Sequence, residues 1–189
     1  MFKGTSASAG IGIGKAVIVE EAELVITRNE VADAEAEIQR FKGALEKTIA
    51  ATQKMADDLA SRVGEKEAEI MQGHMMLLSD PMLTGEIENS VKNDKVNCEF
   101  AIENVCNMYA DMFASMGDEL MQQRATDMRD IKVRMQRTLM GLESVDVSLL
   151  PKGSILVAKD LTPSMTAGIN PENVSGIVTE LGGKPSHSA

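Results

Sequence analysis

Residues 154–180 read SILVAKDLTPSMTAGINPENVSGIVTE, and the order of elements within them decides the fold. SILVA (Ser154 to Ala158) and SGIVTE (Ser175 to Glu180) are short runs rich in β-branched residues and bounded by Pro, Gly and Asn, which is how strands read. Between them Pro163 suits the first turn of a short helix, with Thr162 as its cap. Strand, short helix, strand is the grammar of an α/β layer with parallel strands. Far upstream, KAVIV (Lys15 to Val19) is a third strand that can join the same sheet. Gly10, Gly12 and Gly14 precede that strand. A dinucleotide-binding loop follows a strand and opens a helix, so these glycines read as turns or bulges.

What separates KAVIV from the other strands is helical, from about Val31 to Leu142. Ile38, Phe41, Leu45, Ile49, Thr52, Met55, Leu59 and Val63 step by three or four and predict one helix of about 30 residues. Phe100, Val105, Met108 or Tyr109, Met112 or Phe113, and Met116 predict another, capped by Asn97. Met128, Ile131, Met135, Leu139 and Leu142 predict a last one. Short polar links between them predict an antiparallel bundle, inserted between the first strand and the rest of the sheet. The expected organisation is residues 1–20 for the first strand region, 21–145 for the bundle and 146–189 for the remainder of the α/β part.

One segment breaks the pattern. In EAEIMQGHMMLLSDPML (Glu67 to Leu83), Met71, Met75, Met76, Leu77 and Leu78 cover more than one helical face. Pro81 stops one helix and suits the start of the next, with Ser79 or Asp80 as cap, so a two-part helix is predicted. From the residues alone, the run reads first as a segment buried on two sides and second as an outward docking patch.

Composition narrows the class. The formal charge of −10 argues against nucleic-acid binding, which needs clustered Lys and Arg. No apolar run approaches the roughly 20 residues of a membrane-spanning helix, and the first residues lack a signal peptide's apolar core. Aromatic content is only 3% while methionines number 14, so aliphatic and thioether side chains supply the core volume. Cys98 and Cys106 lie two helical turns apart, roughly 12 Å, too far for a disulfide, and read as reduced thiols of a cytoplasmic protein. His74 reads as a buried or helix-surface histidine rather than a ligand.

The chain closes on TELGGKPSHSA, residues 179–189. A strand leading into Gly182 and Gly183, then Ser186 and His187, has the form of strand, turn and helix start. Glycines permit close backbone approach, free N–H groups at a helix start attract an anion, and an imidazole there is a nucleophile towards phosphorus. Lys184 would add a cationic contact. Spacing alone does not separate this from an incidental histidine.

Several motifs in order carry a resemblance that does. ASAGIGIGKAVIV, GHMMLLSDPML, RATDMRDIKVRM, ILVAKDLTPSMTAGI and GGKPSHSA together resemble the N-terminal domain of enzyme I of the bacterial phosphotransferase system, along essentially the whole chain. The resemblance implies an antiparallel helical bundle inserted into a swivelling α/β phosphohistidine subdomain. It implies that His187 takes a phosphoryl group from phosphoenolpyruvate and passes it to the carrier protein HPr, the first step of sugar uptake. Thr166 is implied as the hydrogen-bond partner of that histidine, with Gly182, Gly183, Lys184 and Ser186 around it. Met76, Leu77, Met82 and Leu83 are implied as the HPr-binding face, with Arg124 near its edge, which reverses the first reading of the Met-Leu run.

Two departures accompany the likeness. Lys184-Pro185 stands where the family usually has Arg-Thr, which loses a two-pronged phosphate contact and one backbone N–H. Family members also continue past the histidine with a helix, further strands and a phosphoenolpyruvate-binding domain. Mg²⁺, the phosphoenolpyruvate site and the main homodimer interface are implied to lie there, so no metal ligand is expected here and the α/β part is expected to be incomplete. Reaction with phosphoenolpyruvate alone is not expected. Two other readings stand beside this one: an HPr-docking fragment without catalysis, and the swivelling domain of a pyruvate phosphate dikinase-like enzyme. The helical insertion disfavours the latter.

Overall fold

The computed structural model describes residues 4–142 and 144–181. The chain forms two compact units, Met1–Ala22 with Val145–Ala189, and Glu23–Ser144 between them in sequence.

In the first unit β1 (Lys15–Val19), β2 (Ser154–Ala158) and β3 (Val174–Thr179) form a parallel sheet in the order β1-β2-β3. Val17 pairs with Leu156, and Leu156 with Ile177, so β2 is the central strand. The last strand begins and ends one residue earlier than its sequence pattern predicts. Val19, Val147, Leu150, Leu156 and Ile169 form its buried core, with Leu161 and Met165 packed against them. The connection between β2 and β3 carries the predicted short helix, here called by its place as the β2–β3 helix, Pro163–Gly168. Thr162 Oγ1 accepts from Met165 N at 3.3 Å, which satisfies one of the N–H groups that a helix start leaves open. Gly12 and Gly14 run against the chain entering β3 and β2: a Cβ on either would strike the carbonyl of Ser175 or Gly153. Their lack of a side chain serves a close backbone approach, a structural role.

The second unit is helical: α1 (Ala34–Arg62), α2 (Glu65–Leu78), α3 (Pro81–Asp94), α4 (Cys98–Ser115) and α5 (Glu119–Met140). Its 29-residue α1 has the length its periodicity predicts. Asp33 caps it by accepting from Ala36 N at 3.0 Å, and Glu35 and Glu37 in the first turn suit the positive end of the helix. The buried line is rotated slightly from the predicted stripe. Ala44, Thr48, Thr52 and Ala56 are buried beside Ile38, Phe41 and Leu59, while Leu45 and Ile49 are half-buried and Val63 is exposed. Small side chains let α1 approach its neighbours closely. The Thr48 and Thr52 hydroxyls donate back to the carbonyls of Ala44 and Thr48, so neither is stranded.

The core gathers Phe41, Leu78, Leu83, Ile87, Val91, Ile102, Met128, Ile131 and Met135 from all these helices except the C-terminal half of α1. The expected cap of α4 is corrected. Asn97 occupies the cap position but its side chain makes no cap bond; its Oδ1 accepts instead from Asn29 N at 2.8 Å, tying down the segment that leads into α1. The first-turn N–H of Cys98 is taken by Glu37 Oε1 at 2.8 Å, a carboxylate from α1. Of the alternatives along α4, Tyr109 and Phe113 pack against the core whereas Met108, Met112 and Met116 are exposed. In α5, Leu139 is half-buried and Leu142, beyond the helix end, is exposed.

Candidate functional site

The break between α2 and α3 falls where the sequence places it. Leu78 ends α2, and Asp80 caps α3 by accepting from Met82 N at 2.9 Å, with Pro81 in the first turn. Proline at that position has no intrahelical N–H bond to lose, so one helix ends and the next begins without leaving a donor unpaired. The break sorts the Met-Leu run by face. Met71, Leu78 and Leu83 are buried, Leu77 is half-buried against the core, and Met76 and Met82 are 71% and 69% exposed. Leu83 is therefore a correction: at 1% exposure it is a core residue of α3, not a contact available to a partner.

The exposed thioethers do not stand alone. A three-residue link joins α3 to α4, so the start of α3 lies beside the later turns of α4. Tyr109 on α4 packs against the core that Leu83 and Ile87 of α3 share, close enough to Glu86 and Asp80 to sense their charge. Burial first, then the charges of Glu86 and Asp80, push its phenol above the ordinary value. Met108 and Met112, one position before that tyrosine and three after it, are exposed. The sequence reading missed them as surface residues because a 3.6-residue period does not say which of two adjacent apolar positions turns inward.

At the edge lies a polar cluster that the sequence did not reveal. His74 on α2 is fully buried, and its Nε2 meets Asp127 Oδ1 on α5 at 3.2 Å. Nδ1 faces Asp130 Oδ2 at 4.0 Å. Arg124 Nη1 lies 3.6 Å from Asp127 Oδ2, and the guanidinium rests over Gly73, where a Cβ would collide with it. Asp127 thus ties a buried histidine to a partly exposed arginine. The spacing of Arg124 and Asp127 suits an i,i+3 pair, but the tie to His74 needs the packing of α2 on α5.

Thr166 sits on the β2–β3 helix, half-buried, with Oγ1 donating to Thr162 O at 3.0 Å. Gly182, Gly183, Lys184, Ser186 and His187 lie outside the described residues. Among the described residues no group of three His, Cys, Asp or Glu side chains is placed to hold a metal ion. Nor is any helix among them long and apolar enough to cross a membrane. Cys98 and Cys106 are free and buried, and burial pushes both thiols up to about 12.

The model of the N-terminal part of PEP-utilising enzymes matches residues 3–124. The chain belongs to that family. The model of the mobile domain of PEP-utilising enzymes matches residues 150–189, which include the histidine segment. A phosphoenolpyruvate-protein phosphotransferase of Bacillus subtilis (strain 168) is 40% identical over 188 residues, covering 100% of this chain and 33% of that protein. Its counterpart in Listeria monocytogenes is 41% identical over the same span, again covering 33% of the relative. The chain thus spans about a third of the length of the curated relatives it matches. Among solved structures, the solution structure of Enzyme I (nEIt) matches with a TM-score of 0.88 at 37% identity, covering 100% of this chain and 77% of that one. The structure titled N-terminal domain of Enzyme 1 - Nitrogen matches with a TM-score of 0.68 at 25% identity, covering 96% and 75%. The helical bundle and parallel sheet described above match both of these structures over 96% or more of this chain.

Proposed function

We infer that this chain is the phosphohistidine-bearing part of a phosphoenolpyruvate–protein phosphotransferase, moving a phosphoryl group between His187 and HPr. The likeness to proteins of that name along the whole chain supports the reaction. The observation that carries the partner is the sorting of Met76 and Met82 to the surface beside a buried Leu78 and Leu83. Exposed apolar side chains cost free energy unless something covers them, and a patch gathered from the facing ends of α2, α3 and α4 suits a folded protein.

His187 is the nucleophile in this reading. A neutral imidazole attacks phosphorus, and Gly182, Gly183, Lys184 and Ser186 are the residues proposed to receive the phosphoryl group. Thr166 donates its hydroxyl proton to Thr162, so its oxygen keeps lone pairs for accepting from an imidazole N–H before transfer. Arg124, oriented by Asp127, lies within reach of an acidic or phosphorylated group on the carrier. Mg²⁺ and phosphoenolpyruvate are taken up outside this chain, as is homodimer formation, and the site of action is the cytoplasm. The bundle spans residues 21–145 in this division, with the phosphohistidine subdomain formed by 1–20 and 146–189.

Docking is tested by titrating unphosphorylated HPr into the chain and into Met76→Asp and Met82→Asp. Both positions are surface positions, so a carboxylate is tolerated by the fold while disfavouring an apolar contact. Affinity should fall about tenfold or more for each. Unchanged affinity in both variants removes the docking face. Leu83→Asp is unsuited to this purpose, since a charge in the core unfolds the bundle irrespective of any partner.

A further inference from the structure

We propose that the exposed methionines Met76, Met82, Met108, Met112 and Met116 form a peroxide-sensitive modification site that switches docking off. The proposal rests on the docking reading above and adds to it a regulation of the same face. Its basis is a division among the methionines. Met71, Met128 and Met135 are buried to 0–1% exposure, whereas these five range from 44% to 71% exposed. The five are also grouped. Met76 and Met82 flank the α2–α3 break, and Met108 and Met112 on α4 and Met116 at its C-terminal cap follow one another four residues apart. Tyr109 packs against the core that Leu83 and Ile87 share with Ile102 and Val105, which sets that part of α4 beside α3.

The chemistry follows from the thioether. A sulfur lone pair attacks the terminal oxygen of a hydroperoxide, the S–O bond forms as the O–O bond breaks, and proton transfer releases water. Sulfur loses two electrons and the peroxide oxygen gains them, so one thioether and one H₂O₂ give one sulfoxide and one water. A buried thioether is shielded from this reaction, and an exposed one is not. The product is polar at the centre of a surface that would otherwise dock through apolar contact. Covering it with a partner leaves the S=O oxygen desolvated, which weakens binding. Methionine sulfoxide reductases reverse the change, so the modification works as a switch rather than as damage. Leucine at these positions would dock as well by burial alone but would not respond to an oxidant.

Met140 supplies an internal control. It is exposed too, but it lies beside Val25 and Asn97 at the start of α4, roughly 20 Å along the helix from Met112. Its oxidation should leave docking unaffected.

The test treats the 189-residue chain alone with hydrogen peroxide, removes the oxidant with catalase, maps sulfoxides by peptide mass spectrometry and titrates untreated HPr. A variant with Leu at all five positions is treated in parallel, and each protein is compared only with itself before and after peroxide. The expected result is sulfoxide at the five exposed positions and not at Met71, Met128 or Met135. Affinity should fall about tenfold or more in the original chain, return after treatment with sulfoxide reductases, and change by less than about twofold in the Leu variant. Equal loss in both proteins, or sulfoxide at the five positions without loss of affinity, overturns the proposal while leaving docking intact. If the untreated chain fails to bind HPr, the docking reading and this proposal fall together.

Discussion

Glu37 shows how one side chain ties two helices. Its carboxylate accepts from Arg40 Nη2 at 2.7 Å and from the backbone N–H of Cys98 at 2.8 Å, so it serves α1 as a surface ion pair and α4 as a cap. The Arg40 hydrogen bond, opposed by burial and aided by the Cys98 N–H, holds this carboxyl below its ordinary value of 4.5. A folded pKa below the unfolded one contributes stability that is fully present above the unfolded value and is lost as pH falls through the folded one. Urea denaturation of the chain and of Glu37→Gln between about pH 7 and about pH 3 should therefore show a stability gap that is widest near neutrality and closes below the ordinary carboxyl range. A gap that stays constant across that range contradicts the assignment. Sequence reasoning saw Asn97 at the helix start but could not see Glu37 arriving from 61 positions away in the chain, because capping rules consider only local partners.

Helix ends and interiors make opposite demands on glycine, and the bundle contains both cases. Gly141 closes α5 in the left-handed conformation at φ 65°, with Leu142 N donating to Arg137 O at 2.9 Å. Gly43 lies inside α1, where a Cβ would meet open space. Gly141→Ala should cost about 1 kcal/mol, and Gly43→Ala should gain about 0.5–1 kcal/mol by lowering the entropy of the unfolded chain. Equilibrium denaturation of the two variants checks the sign, and shifts in the same direction would refute this account of the two positions. Punctuation of this kind is legible from sequence: Pro81, Asp80, Thr162 and Pro163 all stand where their chemistry suggests. Which face of a helix turns inward was less legible. On α4, Met108 and Tyr109 are adjacent and equally apolar in pattern, and only the packing of α3 against α4 sends the tyrosine in and the methionine out. On α1, the inward line runs through Ala44, Thr48 and Thr52 because close helix approach favours small side chains over large ones.

At the scale of the molecule, the chain leaves the sheet after one strand, builds five helices and returns to complete the strand order β1-β2-β3. That insertion was readable because short β-branched runs bounded by Gly, Pro and Asn stand on either side of a long stretch with the 3.6-residue apolar period. The parallel pairing was readable because a helix separates β2 from β3. What sequence pattern could not supply was the polar link from His74 through Asp127 to Arg124, or the exposure of the methionine face, since both depend on elements meeting across the bundle. The two compact units divide the proposed labour, with docking assigned to the helices and phosphoryl transfer to the segment that follows β3. The most direct measurement of that division incubates the chain and His187→Ala with phosphorylated HPr and follows acid-labile phosphate by mass spectrometry. The account predicts label on His187, reversed by excess unphosphorylated HPr, and none on the variant; no label on the chain, or equal label on both, would contradict it.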